Sequence, residues 1–94
     1  MSREVVLTPK AKETLFDVIF FIRLKWGDKS AEKFTLETNR VINTIAQQPY
    51  IFKAYGETDV RKGLINKHTS IVYRILQDRI DILFFWDNRQ EPIN

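Results

Sequence analysis

The chain contains no cysteine. Disulfide staples and thiolate metal ligands are therefore excluded, in keeping with a reducing compartment. There is a single histidine, His68, so a Ser-His-Asp constellation would have to be built around that one residue. Neither a glycine-rich phosphate loop nor a metal-ligand spacing occurs. The first apolar run, Val5 to Leu7, stops at Thr8-Pro9 and is far too short for a signal-peptide core. No stretch approaches the roughly 18 apolar residues of a membrane span. The expectation is a cytoplasmic protein with no cofactor, no metal and no membrane partner, and without the marks of an ordinary hydrolase.

What is present fits one compact domain over residues 1–94. Hydrophobic residues make up 44% and aromatics 13%, enough for a core, although a domain this small hides only about 60 to 65% of its unfolded surface. Fifteen Lys and Arg against 12 Asp and Glu give a net charge of +3. That balance suits contact with nucleic acid or with an acidic protein and does not choose between them.

Val5 to Leu7 read as a short strand, and Thr8-Pro9 as a helix start, because Thr caps and Pro tolerates the first helical position. Ala11, Leu15, Val18, Ile22 and Trp26 then repeat at spacings of four and three, the period of a buried helical stripe, and Gly27 ends it. Phe16, Ile19, Phe20 and Phe21 widen the stripe beyond what one partner helix covers. The helix is then either sandwiched, which the pattern favours, or offers part of its surface to another chain. A second helix starts near Asp28 or Ser30 and runs to Gln48, with Ala31, Phe34, Thr38, Val41 and Ile45 on one side and Pro49 at its end. The short link Gly27-Asp28-Lys29 makes the two an antiparallel hairpin.

Residues Tyr50 to Asp59 show no period, and Tyr55 to Asp59 read as an exposed loop. Beyond them the period becomes two in Val60 to Ile65, Ser70 to Leu76 and Ile80 to Asp87, three strands joined by links short enough for an antiparallel meander. The expected fold is α+β, in the order β-α-α-β-β-β: a helical hairpin packed on a mainly antiparallel four-stranded sheet. The sheet's other face is expected to be partly uncovered and so available for function.

The polar residues of the strand region are mostly cationic: Arg61, Lys62, Lys67, Arg74, Arg79 and Arg89, with His68 among them. Such groups hold phosphates, stabilise charge developing on a phosphorane, or pair with a partner's carboxylates. The competing reading is a solvated sheet edge whose Lys and Arg oppose aggregation. His68 reads as a turn residue before a general base, Tyr73 as a packed aromatic with a bonded hydroxyl, and Trp86 as core or interface. Candidates for target or partner contact are Arg61, Lys62, Tyr73, Arg74, Trp86 and Arg89, with Phe16 and Phe20 on the first helix.

Several separated segments carry a family resemblance. They are Leu7-Thr8-Pro9-Lys10-Ala11, Lys25-Trp26-Gly27, Ala31 with Phe34, Pro49, Val60-Arg61-Lys62-Gly63-Leu64-Ile65, Lys67-His68, Ile71-Val72-Tyr73-Arg74-Ile75 and Asp87-Asn88-Arg89-Gln90-Glu91-Pro92. Together they resemble the RelE/ParE superfamily of toxins from type II toxin-antitoxin systems, in its ParE-like or plasmid-stabilisation branch. The resemblance implies a growth-inhibiting toxin silenced by a cognate antitoxin whose C-terminal segment wraps it, with a homodimer or a toxin-antitoxin hetero-oligomer as the assembly. RelE-like members are ribosome-dependent mRNA endonucleases; ParE-like members poison DNA gyrase and cut nothing themselves.

RelE-like nucleases place an Arg just before the apolar-apolar-Tyr segment of the mid-sheet strand. Here that position is Ser70, ahead of Ile71-Val72-Tyr73. Arg89 matches their basic residue after the last strand, but the tail ends Pro92-Ile93-Asn94 without the frequent Tyr or His. A nuclease would have to recruit Arg61, Lys67, His68, Arg74 or Arg89. The resemblance therefore favours the ParE-like action on gyrase over mRNA cleavage, with a non-toxic homologue that keeps only antitoxin binding as a third reading.

Overall fold

The computed structural model describes residues 3–54, 56 and 58–89. Its elements are β1 (Glu4–Leu7), α1 (Pro9–Trp26), α2 (Asp28–Gln47), β2 (Val60–Asn66), β3 (Thr69–Ile75) and β4 (Arg79–Asp87). They form one four-stranded sheet in the order β1-β4-β3-β2. The meander β2-β3-β4 is antiparallel, as expected, and β1 lies parallel to β4, which makes the sheet mixed. No helix among the described residues is long and apolar enough to cross a membrane.

Thr8 joins strand, helix and sheet in one side chain. Its Oγ1 accepts the Ala11 N–H at 3.1 Å as the N-cap of α1 and donates to the Ile82 carbonyl of β4 at 2.8 Å. The turn between the helices is tighter than the expected three-residue link: Gly27 alone separates them, with φ +94°. Its N–H donates to the Arg23 carbonyl and its own carbonyl accepts from Ala31, so one residue closes α1 and opens α2. That backbone region is essentially confined to glycine.

The core lies between the hairpin and one sheet face. It holds Ala11 of α1, Phe34 and Ile45 of α2, and Ile71, Tyr73, Ile80, Ile82 and Phe85 of the sheet. Phe52, from the loop before β2, covers Gly63 so closely that a Cβ there would sit 2.6 Å from its ring. On the opposite face, alternation and register place the rows Leu64–Ser70–Trp86 and Lys62–Val72–Phe84, ending at Val60–Arg74–Asp81. This face is less open than expected at its centre, because the short side chains of Ser70 and Val72 lie between larger neighbours and are buried.

Two expectations for α1 need correction. Trp26 does not complete a buried stripe; it is 50% exposed, at the last position of α1. Nor is the helix sandwiched. Ala11 is its one fully buried residue, Leu15, Val18, Ile19 and Ile22 pack partly on the core, and Phe16, Phe20, Phe21 and Leu24 face outward. The alternative reading, a surface offered outward, is the one the packing supports. In α2 the expected face holds, with Ala31, Phe34, Thr38 and Ile45 buried.

Candidate functional site

The candidate cations do not converge on one point. Lys67, His68 and Arg89 meet at the closed end of the hairpin, in a groove of about 380 Å³ whose other walls include Trp26, Lys33 and Phe34. The β2–β3 turn that presents Lys67 and His68 is fixed by Asn66, whose Oδ1 accepts from the backbone N–H groups of His68 at 2.8 Å and Thr69 at 3.0 Å. This supports the reading of His68 as a turn residue.

Arg89 is held firmly for an exposed arginine. Its Nε and Nη2 donate to the two Asp87 carboxylate oxygens, each at 3.0 Å, in a bidentate fork. Its guanidinium lies 5.0 Å from the Phe21 ring centroid and 5.3 Å from that of Trp26. The hydrogen bonds from Arg89 pull the Asp87 carboxyl below its ordinary range and raise the guanidinium's own value.

Arg61 lies elsewhere, beside the 50–54 loop. Its Nη1 donates to the Phe52 carbonyl at 2.6 Å and its guanidinium sits 4.8 Å from the Tyr50 ring centroid. Arg61 thereby clamps the loop that covers β2. Arg74 points from the far face to Asp59 at 3.4 Å, an exposed pair worth little in energy. Lys62 is on that same face, half-buried beside Val72. Tyr73 is buried on the helix side and donates to the Pro49 carbonyl at 2.7 Å, so it belongs to the core and offers no contact surface. Burial raises the Tyr73 pKa, an effect the nearby Arg61 partly offsets. Trp86 lies half-buried beside Ser70. Among the described residues no group of three or more His, Asp or Glu is placed to hold a metal.

The second feature is apolar. β1 pairs with β4 only as far as Ile82, and from there α1 runs along the β4 edge, with Thr14 Oγ1 accepting the Phe85 N–H at 2.9 Å. A groove of about 450 Å³ remains between α1 and β4, walled by Lys10, Val18 and Phe21 on one side and by Phe84 to Asp87 on the other. Elsewhere on α1, Phe16 and Phe20 are 68% and 51% exposed. Asp87, which holds Arg89, and Tyr50 and Phe52, which Arg61 engages, were missed in the sequence as organisers of these cations. Only for Asp87 was there a signal, an acid two residues before Arg89.

A family model for the ParE toxin of the type II toxin-antitoxin system parDE matches residues 5–92. The chain belongs to the ParE toxin family. Solved structures agree in fold. A chromosomal ParDE system from P. aeruginosa is similar at 18% identity, with 92% of this toxin and 96% of that chain covered and a TM-score of 0.77. A YoeB/ParE toxin from Agrobacterium tumefaciens shares 13% identity over 89% and 96% of the two chains, with a TM-score of 0.64. The E. coli DinJ-YafQ toxin-antitoxin complex shares 5% over 95% and 96%, with a TM-score of 0.65. No curated protein matches. The ParE-family toxin thus has the RelE/ParE fold, which both kinds of relative share.

Proposed function

We propose that this toxin inhibits growth by binding DNA gyrase in the bacterial cytoplasm, without cutting a substrate itself, and that a cognate antitoxin neutralises it by covering the exposed α1 surface and the far sheet face. The observation that carries the target is Ser70. Where RelE-like nucleases present an arginine, this side chain is fully buried, and its Oγ donates to Asn88 Oδ1 at 2.9 Å. The position is thereby committed to structure. The dispersal of Arg61, Arg74 and Arg89, each engaged by its own chain, points the same way, because acid-base chemistry needs groups within reach of one reacting bond. In this reading Arg61, Lys62, Arg74, Trp86 and Arg89 serve recognition.

The antitoxin part rests on the apolar surface: Phe16, Phe20, Phe21 and Leu24 form an outward patch of the kind that marks an interaction site. Solved relatives of the same fold include toxin-antitoxin complexes. A second reading, ribosome-dependent mRNA cleavage, has one observation in its favour, the meeting of Lys67, His68 and Arg89 in the hairpin-end groove. Inducing the toxin without antitoxin separates the two. Gyrase-dependent DNA breakage with SOS induction is expected; a defined mRNA cut pattern on ribosomes assigns it to cleavage, and unchanged growth assigns it to a non-toxic homologue.

A further inference from the structure

Four lysines gather at the closed end of the helical hairpin: Lys25 in the last turn of α1, Lys29 and Lys33 in the first two turns of α2, and Lys67 in the β2–β3 turn. All four are exposed, and none takes part in an ion pair among the described residues. Lys33 and Lys67 line the hairpin-end groove with Trp26 and Arg89. Lys25 joins them through its Nζ, which lies 5.9 Å from the Trp26 ring centroid, over the same indole that Arg89 approaches. Of the carboxylates nearby, Asp87 is held by the Arg89 fork and Asp28 by Arg23 at 3.1 Å, while Glu32 lines a separate hollow beside that second pair. Among the described residues Glu37 is the one carboxylate on the groove wall.

Folding does not account for this cluster. Lys29 sits in the first turn of α2, where the helix dipole is positive and a cation costs stability. Lys29 and Lys33 are four residues apart on one helix, so their charges also repel. Only Lys25, at the C-terminal end of α1, has a place the dipole favours. Cations kept together against their own repulsion match a ligand of high negative charge density, and duplex DNA carries one charge per about 1.7 Å of its length.

We propose that the hairpin end binds the phosphodiester backbone of duplex DNA, so that the toxin meets gyrase on the DNA the enzyme carries. The second step rests on the gyrase reading above; the binding of DNA does not. Contact with a duplex backbone suits this end better than contact with unpaired bases. Single strands are held by stacking bases on open aromatic rings, and here Lys25 and Arg89 lie over both Phe21 and Trp26, at 5.0 to 6.0 Å from the centroids, and compete for those faces. Lysine heads, point charges on flexible stems, sense phosphate charge without fixing a base. The binding is therefore independent of sequence and steeply dependent on salt.

The test uses the full chain alone, without gyrase or antitoxin, and a labelled duplex of about 20 base pairs in fluorescence anisotropy. A dissociation constant of about 1–10 µM near 50 mM salt is expected, weakening by about 150-fold near 200 mM, the dependence for roughly four neutralised phosphates. The triple variant Lys29→Gln, Lys33→Gln, Lys67→Gln is expected to lose at least about 30-fold in affinity and most of the salt slope. It should melt no lower than wild type, because its helix changes relieve repulsion. Lys12→Gln, Arg40→Gln, Lys53→Gln removes the same charge from exposed sites elsewhere and is expected to bind within about 3-fold of wild type. Equal losses in the two triple variants would reduce the effect to net charge and overturn the proposal. Absence of binding up to about 200 µM at low salt overturns it too, and leaves the gyrase reading to its own test. Tighter binding of a single-stranded RNA of the same length also overturns it, and moves the groove to the mRNA reading.

Discussion

Replacing Phe20 by alanine separates what the α1 surface does for binding from what it does for folding. Phe20 is 51% exposed, so about half of its ring, on the order of 100 Å², is still available to an antitoxin. At about 25 cal/mol per Å² its burial is worth roughly 2.5 kcal/mol, an affinity ratio of roughly 70-fold. The loss should fall on dissociation, because apolar contacts form after encounter while the net positive charge governs approach. Surface-immobilised antitoxin, with toxin in solution at nanomolar concentration, gives both rate constants. The expected result for Phe20→Ala is a dissociation rate raised tens-fold with an association rate within a factor of about 2. Raising salt should do the reverse, slowing association and leaving dissociation nearly unchanged. A dissociation rate equal to wild type in a variant that melts normally would refute the placement of the antitoxin on α1.

Other perturbations test the fold and the electrostatics. Gly63→Ala forces a Cβ into the Phe52 ring, so it should cost about 1–3 kcal/mol in denaturant unfolding, and less when Phe52→Ala accompanies it; equal costs in the two backgrounds would show that the contact is not responsible. Thr38 is buried on α2 with its hydroxyl unpaired, so Thr38→Val should be neutral or stabilising by up to about 1 kcal/mol, and a clear loss of stability would reveal an unseen hydrogen bond. Asp87 has its folded-state pKa depressed by Arg89, so the pair contributes stability that is complete above the unfolded carboxylate range and is lost as pH falls through the folded value. Arg89→Ala should therefore lower stability by up to about 1 kcal/mol more near pH 6 than near pH 2, where only its contacts with the Phe21 and Trp26 rings are lost; a gap unchanged between the two would contradict the ion pair.

The element order was legible because each segment keeps one period for its whole length: three-four from Ala11 to Ile45, two from Val60 onward. The hairpin was legible from Gly27, although the turn proved to need one residue where three were expected. What the sequence could not show was which hydrophobic residues meet the core. Phe16 and Ile19 read alike along the chain, yet the sheet and α2 occupy only one side of α1, so Ile19 packs and Phe16 does not. The parallel placement of β1 beside β4 and the Phe52 cover on Gly63 depend on contacts between distant segments, which no local pattern records. The candidate cations were visible individually. Their separation into a hairpin-end groove, a loop clamp and the far sheet face is a property of the fold.

The proposed action of this ParE-family toxin on gyrase is by binding. The most direct measurement incubates purified toxin with gyrase, ATP and supercoiled plasmid, in parallel with a ribosome-bound mRNA. Gyrase-dependent cleaved plasmid that increases with toxin, beside intact mRNA, is the predicted result. Intact plasmid beside mRNA cut at defined positions, with cutting abolished by His68→Ala or Arg89→Ala, would contradict it.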